Sequence, residues 1–411
     1  MTTTATIGTA ATPEPTLAAG RRAALTLSAA QATGGAVAPI AIGLGGILGS
    51  SLLGADKSLA TLPVTAFVLG SALTSIPAAL LMARVGRRAG FLAGGCCTVV
   101  AGVLGTAAIF ARSFLLFTLA QLIGGMGNAF VQQYRFAAAD ASPREFRPKA
   151  ISWVLAGGVF TGVVGPQAII FGHHLVPGAD YAGTYLLVIL LGLIGMTVIS
   201  TLAIPRPAPW RPGDTSGRPL AEIMLKPAFL VALACAVASY ALMSLVMTAT
   251  PLAMIHHHHG HDDAALAIQW HVIAMFAPSF FTGSLIARFG KELMAGAGLV
   301  IIGLSAVVAL SGTELFHFWT ALILLGIGWN LGFVGGTAMV ADSYRPEEAA
   351  KVQAGNEFLL FGTVAAASFS SGKILVGQGW DAINMIVFPV VALCLALLAV
   401  HTLLRRRGGL A

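Results

Sequence analysis

Charge is what this sequence has least of. Asp, Glu, Lys and Arg together make up 9% of its 411 residues, against roughly a quarter in an ordinary soluble domain. So few ionic side chains cannot keep a chain of this length in water, which excludes a soluble globular class. Cysteine is also scarce: Cys96, Cys97, Cys235 and Cys394 all fall within apolar runs, where they read as small buried side chains and not as a disulfide framework. The chain contains no G-x-x-x-x-G-K-[ST] loop and no polar segment large enough for a nucleotide-binding domain. ATP-driven pumping is therefore excluded, and nothing suggests an enzyme with a cofactor.

What is abundant is hydrocarbon. Hydrophobic residues make up 57% of the chain and its mean hydropathy is +0.86. The sequence predicts an all-α membrane protein with twelve spans, near 25–53, 58–82, 89–110, 114–138, 150–172, 182–204, 228–254, 265–287, 292–312, 317–340, 353–375 and 380–404. Each is long enough to cross a hydrocarbon core of about 30 Å as a helix. An even number of spans puts both termini on one side of the membrane. With that topology only Lys57, Arg112 and Lys373 lie on the opposite face, and Arg135 falls at the basic edge. The excess of Lys and Arg thus predicts cytoplasmic termini, and the net charge of +7 reflects sidedness, not nucleic-acid binding. Residues 1–24 lack an apolar stretch of their own, so they read as a disordered cytoplasmic tail and not a cleaved leader. Residues 405–411 read as a basic cytoplasmic tail.

The chain repeats itself at a spacing of about 200 residues. "LMARVGRR" (81–88) matches "LIARFGKE" (285–292), "GGMGNAF" (124–130) echoes "LGIGWNLGF" (325–333), and "ADASPREFRPKA" (139–150) echoes "ADSYRPEEAAKV" (341–352). Between the copies lies "PRPAPWRPGDTSGRPLAEIMLK" (205–226), rich in proline and charge. The expected organisation is a bundle of six helices over 25–204, a cytoplasmic linker over 205–227 and a second six-helix bundle over 228–404, as in a paired-bundle transporter.

Spans seven and eight carry an unusual set of side chains. Met243 and Met247 share one helix face, as do His271 and Met275. At 1.5 Å per residue, Met247 and His271 lie roughly 12–14 Å below the loop that joins the two helices, and Met243 and Met275 lie one turn deeper. Three thioethers and one imidazole, without a carboxylate, suit Cu(I) as cargo. The loop itself, "HHHHGHDD", places His256, His257, His258, His259, His261, Asp262 and Asp263 at the outer mouth as a candidate metal-collecting segment; His173 and His174 lie on the preceding outer loop. The competing readings are that the methionines fill gaps in a core around a satisfied histidine, and that the loop is merely solvated.

Twelve spans in two halves, with basic turns after spans two and eight, resemble the major facilitator superfamily over about residues 25–404. Alanines (Ala83, Ala287) stand where that family's turn has an acidic residue before Arg84 and Arg288, and "GVVGPQ" (162–167) is similar to its antiporter Gly-Pro motif. "MSLVM" (243–247) and "HVIAM" (271–275) are similar to the MxxxM and HxxxM motifs of the CcoA-type bacterial copper importers. That resemblance implies copper binding by Met243, Met247, His271 and Met275. It also implies inward transport across the bacterial inner membrane for cytochrome c oxidase assembly, with a cytoplasmic copper chaperone as a partner.

Cys235, one face below the methionines, is a candidate relay ligand. Glu357, within span eleven, is a candidate for coupling a proton or for pairing with Arg135, Arg84 or Arg288 at the inner gate. The expected protein is a monomeric secondary transporter in the lipid bilayer, working by alternating access. Two other readings fit the same residues: a proton-coupled carrier of a small organic solute, and a membrane copper sensor that moves nothing.

Overall fold

A computed structural model describes residues 16–143, 146–204, 217–345 and 348–406, and every regular element among them is helical. Most of the expected N-terminal tail, the first half of the linker and residues 407–411 lie outside the described residues. The helices are α1 (Leu17–Gly34), α2 (Val37–Leu52), α3 (Leu62–Val85), α4 (Arg87–Phe110), α5 (Phe114–Val131), α6 (Tyr134–Asp140), α7 (Arg147–His173), α8 (Ala182–Ser200), α9 (Leu220–Met224), α10 (Pro227–His256), α11 (His261–Phe276), α12 (Ser279–Phe289), α13 (Lys291–Leu310), α14 (Leu315–Ala341), α15 (Ala349–Met385) and α16 (Val387–Arg406). In a bilayer each backbone N–H and C=O must be satisfied within its own segment, and helices do this for apolar runs of such length.

Among the described residues, ten helical stretches are long and apolar enough to cross a membrane, or eleven if α11 and α12 form one bent span. That bend, about 40°, falls at Ala277–Pro278, where proline lacks the N–H that would continue the ladder. One stretch, Gly355–Arg405, runs for 51 residues. Its helical geometry is broken at Gly379, at φ 84° and ψ −177°.

The expected tail needs one correction. Helix starts at Leu17, with the Thr16 hydroxyl accepting from Ala19 N–H at 3.2 Å as an N-cap. Gly20, Ala23 and Ala24 are buried, so residues 17–24 belong to the fold. Their small side chains allow α1 to lie close to the end of α6: a Cβ on Gly20 would come within 2.8 Å of the Ser142 hydroxyl.

Two packed groups result. The buried core of α10–α16 forms one cluster around Phe229, Met254, Leu299 and Leu325, while α1–α8 build two smaller clusters around Phe91 and Phe117. The repeat is visible at atomic level. Gly86 and Gly290 break the chain at φ 89° and 88°. Immediately after them Arg87 pairs with Asp140 in one group, and Lys291 with Asp342 in the other.

The second half of the linker is pinned to the second group. Glu348 accepts from Arg218 Nε at 2.9 Å, Arg218 Nη2 at 2.7 Å, and the backbone N–H groups of Arg218 at 2.8 Å and Arg345 at 2.9 Å. The Arg218 guanidinium above all holds this carboxyl well below the usual carboxylate range. A depressed folded pKa contributes stability in full above the ordinary value of 4.5, and loses it only as pH falls through the much lower folded value. Glu348→Gln should therefore lower the melting temperature throughout pH 5–8, with a constant gap to wild type. A gap that closed by pH 5 would contradict this.

Candidate functional site

A cavity of about 530 Å³ lies between the two groups of helices, within the usual range for small-molecule sites. At one end the groups touch. Thr65 Oγ1 donates to Ser368 Oγ at 3.4 Å, and Gln167 Nε2 to Gln269 Oε1 at 2.9 Å. The wall continues to Tyr344 and Gln353, at the end of the molecule where α9 packs beside Gly355. The cavity is therefore closed at the end carrying the 257–260 loop and reaches toward the end carrying the linker.

Its two faces differ in chemistry. The second group supplies an aromatic wall. Trp329 and Phe333, one turn apart on α14, stack with centroids 5.1 Å apart at 14°. Tyr240 of α10 meets both edge-on at 5.4 and 5.3 Å and Phe361 of α15 at 5.9 Å, and Phe276 stands 6.3 Å from Trp329. The Trp329 indole N–H is buried without a partner, a donor left free in the wall. The first group supplies polar side chains, among them Gln31, Ser71, Asn128, Gln132 and Thr161. Asn128 Nδ2 donates to Ser71 Oγ at 3.1 Å. Its repeat counterpart, Asn330, donates to Ser279 Oγ at 2.7 Å and to the Met275 carbonyl at 2.7 Å. Both asparagines are buried at the cavity wall, fixed by second-group or first-group serines in matching ways.

The residues singled out from the sequence separate. Met243, Met247 and Met275 all line the cavity. His271 is fully buried and does not line it; its Nδ1–H donates to the Leu322 carbonyl of α14 at 2.7 Å, and Nε2 has no partner. Arg135 of α6 and Glu357 of α15 also line the cavity, on opposite groups, each within reach of the other's charge. Arg84 and Arg288 are exposed, and no ion pair joins either of them to Glu357 among the described residues. Cys235 is buried behind the wall, next to Cys394. Cys96, expected to be buried, is exposed on α4, because that helix turns one flank outward.

Within the outer loop, His257 and His259 turn to separate partners. His259 Nε2 donates to the Thr313 carbonyl at 2.7 Å. His257 lies against Phe318 at 6.0 Å, and burial is the main cause holding its imidazole below the ordinary value. Asp263 accepts from Gly260 N–H at 3.1 Å and caps α11.

The family model for the Major Facilitator Superfamily matches this chain over residues 23–268 and again over 231–410. The chain belongs to the Major Facilitator Superfamily. It is similar to the riboflavin transporter RfnT of Brucella anthropi, with 50% identity over 92% of this chain and 95% of that protein. It also resembles two uncharacterised MFS-type transporters of Bacillus subtilis. YdeG is 32% identical over 91% of this chain and 90% of its own, and YddS is 31% identical over 88% of each. As a facilitator-superfamily protein, the chain is a multi-pass transporter of the bacterial inner membrane.

For this facilitator, sequence reasoning missed the aromatic wall, whose members come from four helices, α10, α11, α14 and α15. It also passed over Asn128 and Asn330, although the aligned "GN" and "WN" of the repeat carried that signal.

Proposed function

We propose that the chain carries a small flat heteroaromatic solute of the flavin class across the membrane by alternating access. In this reading residues 25–204 rock against 228–404 as twelve spans, with both termini cytoplasmic and the described conformation open inward. The observation that carries the proposal is the aromatic wall of Tyr240, Trp329 and Phe333 facing the amides of Asn128 and Gln132 across one cavity. A fused ring system stacks on such a wall, while its imide edge and hydroxylated chain need donors and acceptors opposite. The 50% identity to a riboflavin transporter over nearly the whole chain supports the same class. The organic-solute reading thus takes precedence over copper import.

Labelled riboflavin should accumulate saturably in proteoliposomes that contain the protein. Uptake no greater than in empty vesicles would overturn the proposal. Arg135 and Glu357 are the groups through which we propose that a proton gradient acts, so a protonophore should reduce the accumulation.

One observation favours copper: three thioethers face the cavity, and His271 Nε2 has no hydrogen-bond partner. The two cargoes separate cleanly. Leucine conserves methionine's volume at a cost under about 1.5 kcal/mol but removes the sulfur. The double change Met243→Leu, Met247→Leu should therefore lower riboflavin uptake by no more than the roughly 12-fold to which 1.5 kcal/mol corresponds. Loss of copper accumulation in the same variant, with copper taken up by wild type, would instead establish the metal reading.

A further inference from the structure

At the closed end of the molecule stands a cluster that plays no part in the cavity. His173 ends α7, and the turn that follows is closed by Tyr181 N–H donating to the His173 carbonyl at 3.1 Å. Tyr181 adopts φ 65° and Gly178 φ 76°, and this tight return brings Asp180 back over the two histidines. His173, His174 and Asp180 each offer a ligand atom within 4.8 Å of the others. A tetrahedron around an ion about 2.1 Å from each ligand has an edge of about 3.4 Å, so rotation of His174 and Asp180, both exposed, toward the half-buried His173 closes it.

The opposite group of helices supplies a third imidazole as the fourth ligand. His261, at the start of α11, meets His173 edge-on with centroids 5.4 Å apart and Tyr181 at 5.8 Å. Two imidazoles sharing one tetrahedral ion would have centroids about 5 Å apart by the same bond lengths. His261 Nδ1 and the Tyr181 hydroxyl are both buried without a hydrogen-bond partner, a costly condition that a ligand relieves.

We propose that His173, His174, Asp180 and His261 form a site for one divalent transition-metal ion of the zinc class, joining the two halves at their closed end. Imidazoles with a single carboxylate select borderline ions of this kind over Mg²⁺ or Ca²⁺. Because three ligands come from one half and the fourth from the other, the bound ion holds that end shut and opposes the outward-open state. The site does not depend on which solute the cavity carries.

The test is calorimetric titration of Zn²⁺ into the full chain in lipid nanodiscs, with His256, His257, His258 and His259 all replaced by alanine so that the neighbouring string cannot contribute. One ion per chain should bind, and the melting temperature should rise with it. His173→Ala and Asp180→Asn should each weaken binding at least 10-fold, no less than loss of a supporting partner costs at known sites. His261→Ala should do likewise and abolish the rise in melting temperature. No binding in the parent, or unchanged affinity in both His173→Ala and Asp180→Asn, would overturn the site; full affinity and full thermal shift in His261→Ala would overturn the joining of the halves.

Discussion

Trp329→Ala should cut riboflavin uptake about 5- to 150-fold, the range spanned by the roughly 1–3 kcal/mol that stacking on an aromatic side chain contributes. The effect should fall on KM, because what is removed is a surface for the bound solute. Trp329 is 7% exposed and is ringed by Phe333, Tyr240 and Phe276 at 5.1, 5.4 and 6.3 Å, so its plane is fixed before any solute arrives and little entropy is lost on stacking. Trp329→Phe keeps a ring but removes the buried, unpartnered indole N–H. If that N–H donates to the solute, the loss is about 0.5–1.5 kcal/mol, or roughly 2- to 12-fold, so phenylalanine should fall between wild type and alanine. Initial uptake rates across a riboflavin concentration series, normalised to protein in the vesicles, give the measurement. An unchanged KM in the alanine variant would remove the aromatic wall from the solute path.

Much of this architecture was legible in the sequence, for reasons that can be named. Apolar run length marks which segments form long apolar helices, and the repeat fixes which positions correspond. Arg87–Asp140 and Lys291–Asp342 occupy matching places because "GRR" and "GKE" precede helices that start alike. The spacing of four that put Met243 and Met247 on one face also brought both to the cavity. Rotation about the helix axis was not legible. His271 shares a face with Met275 by spacing, yet its ring turns to the Leu322 carbonyl, since a close approach of α11 and α14 offers an acceptor there. Gly326 permits that approach: a Cβ on it would lie 2.6 Å from the His271 carbonyl. Motif spacing thus located a face from which Met243, Met247 and Met275 reach the cavity and His271 does not, and spacing alone does not choose a cargo, because thioethers line apolar cavities for packing as readily as for coordination.

Gly125→Val should remove the protein from the membrane fraction, at a cost of at least the roughly 3 kcal/mol that marks the upper range of ordinary overpacking. A Cβ on Gly125 would sit 1.8 Å from the Phe67 carbonyl oxygen, and one on Gly70 would sit 2.1 Å from that of Leu122. The obstacle in both cases is backbone, so no rotamer change relieves it, and α3 and α5 must move apart. Small residues at such crossings let membrane helices reach contact distance where lipid offers no hydrophobic drive to association. Gly362→Val is the control, since a Cβ there meets nothing within 4 Å; it should leave a single sharp peak in size-exclusion chromatography while Gly125→Val loses it. The smaller Gly125→Ala connects this packing to transport. Ser71 Oγ donates to the Gly125 carbonyl at 2.9 Å and accepts from Asn128 Nδ2 at 3.1 Å, so separating the two helices also frees the amide that faces the cavity. Whatever alanine variant reaches the membrane should therefore show a raised KM for riboflavin, with Asn128→Ala reproducing that rise in a well-folded background.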